Sequence, residues 1–344
     1  MKARCLFILF LMCLVCFSGG CSSERAHVYN ARGKAKAKHR EYREAIKLYS
    51  AAIRLDPDFA VAYNNRGVAK KRLGQYDAAI VDYDAAIRLD PDSWTPYSNR
   101  GTVKRIFREY DAAIADYDIA IRLNPDYADA YFNRGVAKAR LDQHAAAITD
   151  YDIAIRINPA NSPRSALFYF IRGVSKTKLG EYDAAITDYN TAIQLRPEAT
   201  TVYYNRANVK SKLVQYKAAI EDYDTSIELA REGDGAAAYF NRAIAKGNLD
   251  EYEAAIIDYN TAIQLNPHDA SAYFSRGLAK RTLDRTSEAK QDFQTALDIA
   301  KQAGDIELKD NIEGFLRRSE SKSVGSQADV ELKDDVEGFL LQFQ

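Results

Sequence analysis

Residues 63–92 read YNNRGVAKKRLGQYDAAIVDYDAAIRLDPD, and residues 97–126 read YSNRGTVKRIFREYDAAIADYDIAIRLNPD, so one pattern occurs twice in succession. The pattern continues on both sides of these stretches, between residues 26 and 302, and each copy centres on one arginine. These arginines are Arg32, Arg66, Arg100, Arg134, Arg172, Arg206, Arg242 and Arg276. Their spacings are 34, 34, 34, 38, 34, 36 and 34 residues, which indicates one small unit stacked along the chain rather than two or three compact domains.

Small and large residues recur at fixed places in each repeat, which allows two helices to pack closely. A small residue follows each arginine except the first listed places differ only by type: Gly33, Gly67, Gly101, Gly135, Gly173, Ala207, Ala243 and Gly277. An alanine lies further along, at Ala45, Ala79, Ala113, Ala147, Ala185, Ala219, Ala255 and Ala289. An aromatic residue comes four places later, at Tyr49, Tyr83, Tyr117, Tyr151, Tyr189, Tyr223, Tyr259 and Phe293. Prolines that end a helix follow, at Pro57, Pro91, Pro125, Pro159, Pro197 and Pro267, and the sixth repeat lacks one.

This pattern resembles the tetratricopeptide repeat, a helix–turn–helix unit of 34 residues. Tyrosine stands where the family usually has a first-helix tryptophan, at Tyr29, Tyr63, Tyr97, Tyr131, Tyr169, Tyr203, Tyr239 and Tyr273. The resemblance implies an all-α fold, a right-handed superhelical α-solenoid of about eight repeats over residues 26–302. Extra residues at 161–164 and the glycines at 233–235 are places where the superhelix is expected to bend.

The C-terminus resembles a solenoid cap, because each repeat buries its apolar face only against neighbours and the last one needs a polar cover. Residues 305–316 (DIELKDNIEGFL) are nearly copied at 329–340 (DVELKDDVEGFL). We predict a capping helix over 303–317, and a linker and duplicated helix over 318–344, with polar residues 317–327 between the copies. The second copy either docks loosely or binds a partner.

The N-terminus is typical of an export signal over residues 1–20. Lys2 and Arg4 precede twelve apolar residues, 6–17, too few to span a bilayer as a helix. Residues 18–21 (SGGC) resemble a bacterial lipobox, although Ser18 replaces the usual aliphatic residue. Cys21 would then carry a lipid and begin a short linker, 21–25; the alternative is an ordinary secretory signal in which Cys21 is incidental. All 4 cysteines lie in the first 21 residues, so no disulfide is expected in the mature chain.

The lipid anchor implies a location in the bacterial cell envelope. Ser22 and Ser23 follow the cysteine in place of the aspartate that retains some lipoproteins in the inner membrane. We therefore expect the periplasmic face of the outer membrane, with the cell surface as the alternative.

Composition and spacing argue against catalysis and against nucleic-acid binding. The chain has 48 basic and 48 acidic residues, so no net basic field attracts nucleic acid. The histidines, His27, His39, His144 and His268, lie in different repeats, and no spacing of ligands predicts a metal or a cofactor. Nearly all polar residues recur with the repeat, as structure requires and a single active site does not.

Basic and acidic residues recur in step along the repeats. A lysine follows each arginine by four places, at Lys36, Lys70, Lys104, Lys138, Lys176, Lys210, Lys246 and Lys280. Acids of the second helices match them, at Asp82, Asp116, Asp150, Asp188, Asp222, Asp258 and Asp292. These bases either form an anion-binding strip or pair with the acids in an ion ladder. We favour the ladder, because acids in step with bases cancel their charge.

The resemblance further implies that peptides bind on the concave side, along one stripe of the first helices. Asparagines on this stripe resemble ladders that hold a peptide backbone, because an amide both donates and accepts: Asn65, Asn99, Asn133, Asn205 and Asn241. The preceding position changes from Asn64 and Ser98 to the aromatic residues Phe132, Phe170, Tyr204, Phe240 and Phe274. We expect repeats four to seven to form the main peptide-binding surface; the alternative is that the aromatics pack between helices.

These features predict a scaffold or adaptor that binds a protein or peptide partner and assembles envelope complexes. The alternatives are a self-assembling structural lipoprotein, forming a homo-oligomer, and a recruiter of an envelope enzyme. The family's clamp for chaperone C-termini is incomplete, because the first three repeats offer only Asn30, Lys34, Asn65, Thr95 and Asn99, and two of the expected bases are missing. This argues against a cytosolic co-chaperone.

Overall fold

The computed structural model describes residues 22–158, 163–231 and 233–321, which form seventeen α-helices and no strand. The predicted signal segment, Cys21 and the second copy of the C-terminal motif lie outside the described residues. The helices are α1 (22–38), α2 (Tyr42–Leu55), α3 (Ala60–Arg72), α4 (Tyr76–Leu89), α5 (Trp94–Ile106), α6 (Tyr110–Leu123), α7 (Ala128–Ala139), α8 (His144–Ile157), α9 (Pro163–Lys178), α10 (Tyr182–Leu195), α11 (Thr200–Lys212), α12 (Tyr216–Glu228), α13 (Ala236–Gly247), α14 (Tyr252–Leu265), α15 (Ala270–Thr282), α16 (Thr286–Ala303) and α17 (Ile306–Ser321).

Consecutive helices pair as helix–turn–helix repeats, so the predicted all-α repeat fold is confirmed. Repeat one is α1 with α2, and repeat eight is α15 with α16. The chain divides into two compact units, residues 1–160 with repeats one to four and residues 161–344 with repeats five to eight. Within each unit, the second helix of a repeat also packs against the first helix of the next repeat. This is how each repeat buries its apolar face.

A tyrosine or phenylalanine of the second helix packs against the small residue of the first helix in each repeat. A Cβ atom added to Gly67 would lie 2.6 Å from Cε1 of Tyr83, which is closer than carbon atoms can approach. Tyr83 and its counterparts in repeats three to six are almost fully buried. The small-against-large pattern therefore sets the distance between the paired helices.

The second helices end where the prolines predict. In repeat two, α4 ends at Leu89, two residues before Pro91. In repeat six, which lacks the proline, α12 ends at Glu228, and Gly233 and Gly235 then turn the chain with φ values of 90° and 102°. Such positive φ values suit glycine, which has no Cβ atom to clash.

The turn inside each repeat places one residue in the left-handed backbone region. Glycine fills this position in two repeats, at Gly74 and Gly180. Six other repeats use residues with a side chain there: Arg40, Arg108, Asp142, Val214, Asp250 and Asp284. Val214 is the unfavourable case, because a β-branched side chain fits poorly at its φ of 61°.

We expect Val214→Gly to raise the free energy of unfolding by about 1 kcal/mol, because it relieves this backbone strain. Urea unfolding followed by circular dichroism measures the change. Val81→Gly is the matched control: Val81 is equally exposed but lies inside α4, where glycine should lower stability by about 1 kcal/mol. Destabilisation by both substitutions would show that the turn is not strained.

Helix α17 covers the apolar face of repeat eight. Its side chains Leu308, Ile312 and Phe315 are buried against Phe274 and Phe293. The left-handed Gly304 ends α16, and the Asp305 carboxylate then accepts a hydrogen bond from the backbone N–H of Leu308. The helix continues to Ser321, so the predicted boundary at 317 between cap and polar linker is too early.

Candidate binding surface on the first helices

The ladder residues of repeats two and three lie together in the structure. Both Nε and Nη2 of Arg66 donate to the Asp82 carboxylate, at 2.9 and 2.7 Å, and Lys70 Nζ lies 2.8 Å from Asp82 Oδ2. Arg100 and Lys104 reach Asp116 in the same way, at 2.6 and 2.9 Å. The arrangement recurs in repeats four to eight. One buried aspartate thus holds two bases of the first helix.

A further contact joins consecutive repeats, and the sequence interpretation did not include it. Arg100 Nη1 donates to Asp84 Oδ1 at 2.6 Å, and Asp84 belongs to the second helix of the preceding repeat. Polar residues in register with Asp84 accept from the arginines of other repeats: Ser50, Asp118, Asn190, Asp224 and Asn260. The signal was present in the sequence as an acid or amide two places after the ladder aspartate.

Each ladder arginine from Arg66 to Arg276 also stacks over the first-helix tyrosine of its own repeat, at 5.2–5.7 Å from the ring centroid. With carboxylates on one side and a ring on the other, these guanidinium groups are committed to contacts inside the protein. Repeat one differs, because Leu48 occupies the acid's place; Arg32 is exposed, and Lys36 pairs with Glu41 at 2.7 Å.

The asparagines of the stripe fall into two groups by their hydrogen bonds. Asn65 and Asn99 donate across to the preceding repeat, to Asn30 at 2.9 Å and to Asn64 at 3.1 Å. Asn241 likewise donates to Tyr204 OH and to Asn208 Oδ1, both at 3.0 Å. These amide groups tie neighbouring repeats together.

Asn133 and Asn205 instead donate to backbone carbonyls of their own helices, to Asp129 at 2.8 Å and to Thr201 at 2.7 Å. Both side chains are partly exposed. Neither forms a further hydrogen bond within the described residues, so their carbonyl oxygens remain available to a donor.

The aromatic residues of the stripe each contact the ring of the second helix in the same repeat. The pairs are Phe132–Tyr151, Phe170–Tyr189, Tyr204–Tyr223, Phe240–Tyr259 and Phe274–Phe293, with centroids 5.3–6.1 Å apart. Phe132, Phe170 and Tyr204 keep part of their surface exposed. Phe240 is only 8% exposed and Phe274 is 0% exposed, so these two pack between helices and cannot line an open surface. We leave both out of the candidate surface.

No group of three or more His, Cys, Asp or Glu residues that could hold a metal occurs in the part of the chain that the structure describes. In the same residues, no helix is both long and apolar enough to cross a membrane. Stacked helix pairs with a polar and aromatic stripe define a repeat scaffold rather than a pocket enzyme.

Sequence profiles of the tetratricopeptide repeat family match most of this region. The matched residues are 33–74, 60–93, 109–142, 128–161, 173–214, 200–232, 248–282 and 270–302. The chain therefore belongs to the tetratricopeptide repeat family, whose fold is typically a non-catalytic scaffold for protein interactions. A search of curated protein sequences finds no match.

Solved structures share the fold at low sequence identity. The C-terminal part of a repeat protein from Cytophaga hutchinsonii is 19% identical, with a TM-score of 0.57, over 70% of this chain and 97% of that one. A tetratricopeptide repeat protein from Parabacteroides merdae is 20% identical, with a TM-score of 0.52, over 77% and 99%. The Cut9–Hcn1 hetero-tetramer of the APC/C is 16% identical, with a TM-score of 0.53, over 79% and 52%.

Proposed function

We propose that this chain is an adaptor, lipid-anchored in the bacterial envelope, whose first-helix stripe binds an extended segment of a protein partner. The observation that carries the proposal is the pairing of an available asparagine with a partly exposed aromatic ring on one helix. Phe132 and Asn133 form such a pair in repeat four, and Tyr204 and Asn205 form another in repeat six.

Each pair offers what an extended peptide requires. An amide can bond a peptide unit whatever the side chain, because it both donates and accepts. A ring that already rests on Tyr151 or Tyr223 is held in place, so little side-chain entropy is lost when a ligand packs on it. Aromatic residues in such positions are the usual energetic centres of protein interfaces.

We expect the double substitution Asn133→Ala and Asn205→Ala to weaken peptide binding at least tenfold, which corresponds to about 1.4 kcal/mol. Binding peptides are first selected from a displayed random library, and their affinities are then measured by calorimetry. Circular dichroism should be unchanged, because each amide bonds only a carbonyl of its own helix.

The matched control is the same double substitution at Asn65 and Asn99, which should weaken binding less. Those amides already bond other side chains of the protein, so less of their capacity is left for a ligand. Equal effects of the two pairs would show that the whole stripe is used. No effect from either pair would place peptide binding elsewhere.

The proposed anchor is a lipid on Cys21, which lies outside the described residues. The apolar stretch 6–17 and the small residues before Cys21 support it. Acyl chains contribute about 0.8 kcal/mol per buried CH₂ group, so several chains hold a protein at a membrane where one would not.

We expect Cys21→Ala to prevent lipidation and release the protein from the membrane fraction. Immunoblots of fractionated cells measure this, and globomycin should make the unprocessed form of the unsubstituted chain accumulate. Ser22→Ala is the control and should change neither. Unaltered processing and membrane retention in Cys21→Ala would contradict the anchor.

A second candidate function is self-assembly, because the sequence of the capping helix occurs twice in one chain. A second cap sequence could cover repeat eight of another copy. Light scattering during size-exclusion chromatography distinguishes the two functions: a monomer supports the adaptor, and a concentration-dependent dimer supports self-assembly.

A further inference from the structure

Three basic residues at the ends of neighbouring first helices stand apart from the ladder. Lys71 and Arg72 lie at the end of α3, and Arg105 lies near the end of α5. None of the three forms an ion pair within the described residues, whereas the ladder bases beside them, Lys70 and Lys104, both pair with an aspartate. This part of the stripe therefore carries positive charge that the protein does not neutralise.

The surroundings of Lys71 and Arg105 include a donor without an acceptor. Lys71 Nζ donates to Asn99 Oδ1 at 3.1 Å. The Nε of Arg105 is buried and has no hydrogen-bond partner in the part of the chain that is described. A buried donor of this kind is rare in folded proteins, because it loses its bond to water without replacement.

The pKa values show how these groups affect one another. Burial, followed by the positive charges of Arg72 and Arg105, lowers the pKa of Lys71 to about 8. Burial raises the pKa of Tyr117, whereas hydrogen bonds from Thr102 and Arg105 lower it. Arg105 therefore lies between the hydroxyl of Tyr117 and the ammonium group of Lys71, and its charge is felt by both.

We propose that Lys71 and Arg105 form an anion site that binds the carboxylate of an acidic residue in a peptide lying along repeats two and three. The ammonium and guanidinium groups supply charge-assisted hydrogen bonds, and the buried Arg105 Nε gains an acceptor. The site rests on the proposed peptide-binding function and adds a preference for acidic segments. A peptide is favoured over a free anion because the neighbouring Asn64, Ser98 and Asn99 present polar groups suited to a peptide chain.

The experiment uses the full chain in detergent and two fluorescein-labelled peptides, Gly-Ser-Glu-Asp-Glu-Ser-Gly and its counterpart with Gln and Asn in place of the acids. Fluorescence anisotropy should show the acidic peptide binding at least tenfold more tightly. The double substitution Lys71→Met and Arg105→Met should remove this preference. Lys178→Met with Lys212→Met is the charge-matched control, because both lysines are exposed at the ends of first helices, and it should leave the preference intact.

Thermal melting supplies a second readout. Without peptide, Lys71→Met with Arg105→Met should melt at the same temperature as the unsubstituted chain or higher, because it removes charges that lack a partner. Equal binding of the two peptides, or a preference that survives the substitution, would overturn the site. Binding of inorganic phosphate without acidic peptide would overturn the assignment to a peptide.

Failure of the site and failure of the proposed function are distinguishable. If only the site is wrong, peptides selected from the library still depend on Asn133 and Asn205. If the stripe binds no peptide at all, neither pair of substitutions changes any affinity.

Discussion

Replacing Asp116 with alanine should lower the free energy of unfolding by about 3 kcal/mol. Asp116 is 2% exposed and accepts from Arg100 at 2.6 Å and from Lys104 at 2.9 Å. Removing one partner of a buried ion pair typically costs about 3–5 kcal/mol, because a charge remains buried without compensation. The lower value applies here, since Arg100 keeps its contact with Asp84 and both bases retain some exposure.

Asp118→Ala is the matched control for Asp116→Ala. Asp118 lies two residues further along α6 and pairs with Arg134 at 2.6 Å, but its side chain is half exposed. Exposed pairs contribute about 0–1 kcal/mol, so this substitution should change urea unfolding little. If Asp116→Ala instead left unfolding unchanged and abolished peptide binding, the ladder would belong to the binding surface.

The sequence predicted those parts of the fold that recur in every repeat. Close packing of Gly67 on Tyr83 and the end of α4 before Pro91 depend on residues within one repeat, so each copy carries the same signal. The contact of Arg100 with Asp84 was missed because it joins two repeats. A period shows that repeats are stacked but does not show which side chains meet between them.

The stripe was predicted less well, because an aromatic residue on a helix face suits a core as well as an open surface. Phe132 and Phe274 occupy the same place in their repeats, yet only Phe274 is fully buried, since α17 covers it. Lys71 and Arg105 were overlooked for a related reason. They do not recur through the repeats, and attention to recurring charges passes over them.

The capping helix carries the second large effect: Phe315→Ala should lower the free energy of unfolding of repeat eight by about 3–5 kcal/mol, as is usual when a buried Phe is truncated. The Phe315 ring lies 5.3 Å from the rings of both Phe274 and Phe293, and the Arg281 guanidinium lies 5.1 Å from its centroid. Its loss leaves a cavity and frees α17 to detach. Hydrogen exchange should then accelerate in α15 and α16, because each repeat is stabilised only by its neighbours.

Two controls decide what the effect of Phe315→Ala means. Ile306→Ala removes an exposed apolar side chain from the same helix and should change stability by less than about 0.5 kcal/mol. Phe339→Ala makes the corresponding change in the second copy of the motif, which lies outside the described residues. If Phe339→Ala accelerates exchange in α15 and α16 as much as Phe315→Ala does, the two copies share the face of repeat eight. If Phe315→Ala changes neither exchange nor unfolding, α17 is not the cap, since the burial of Phe274 would not depend on it.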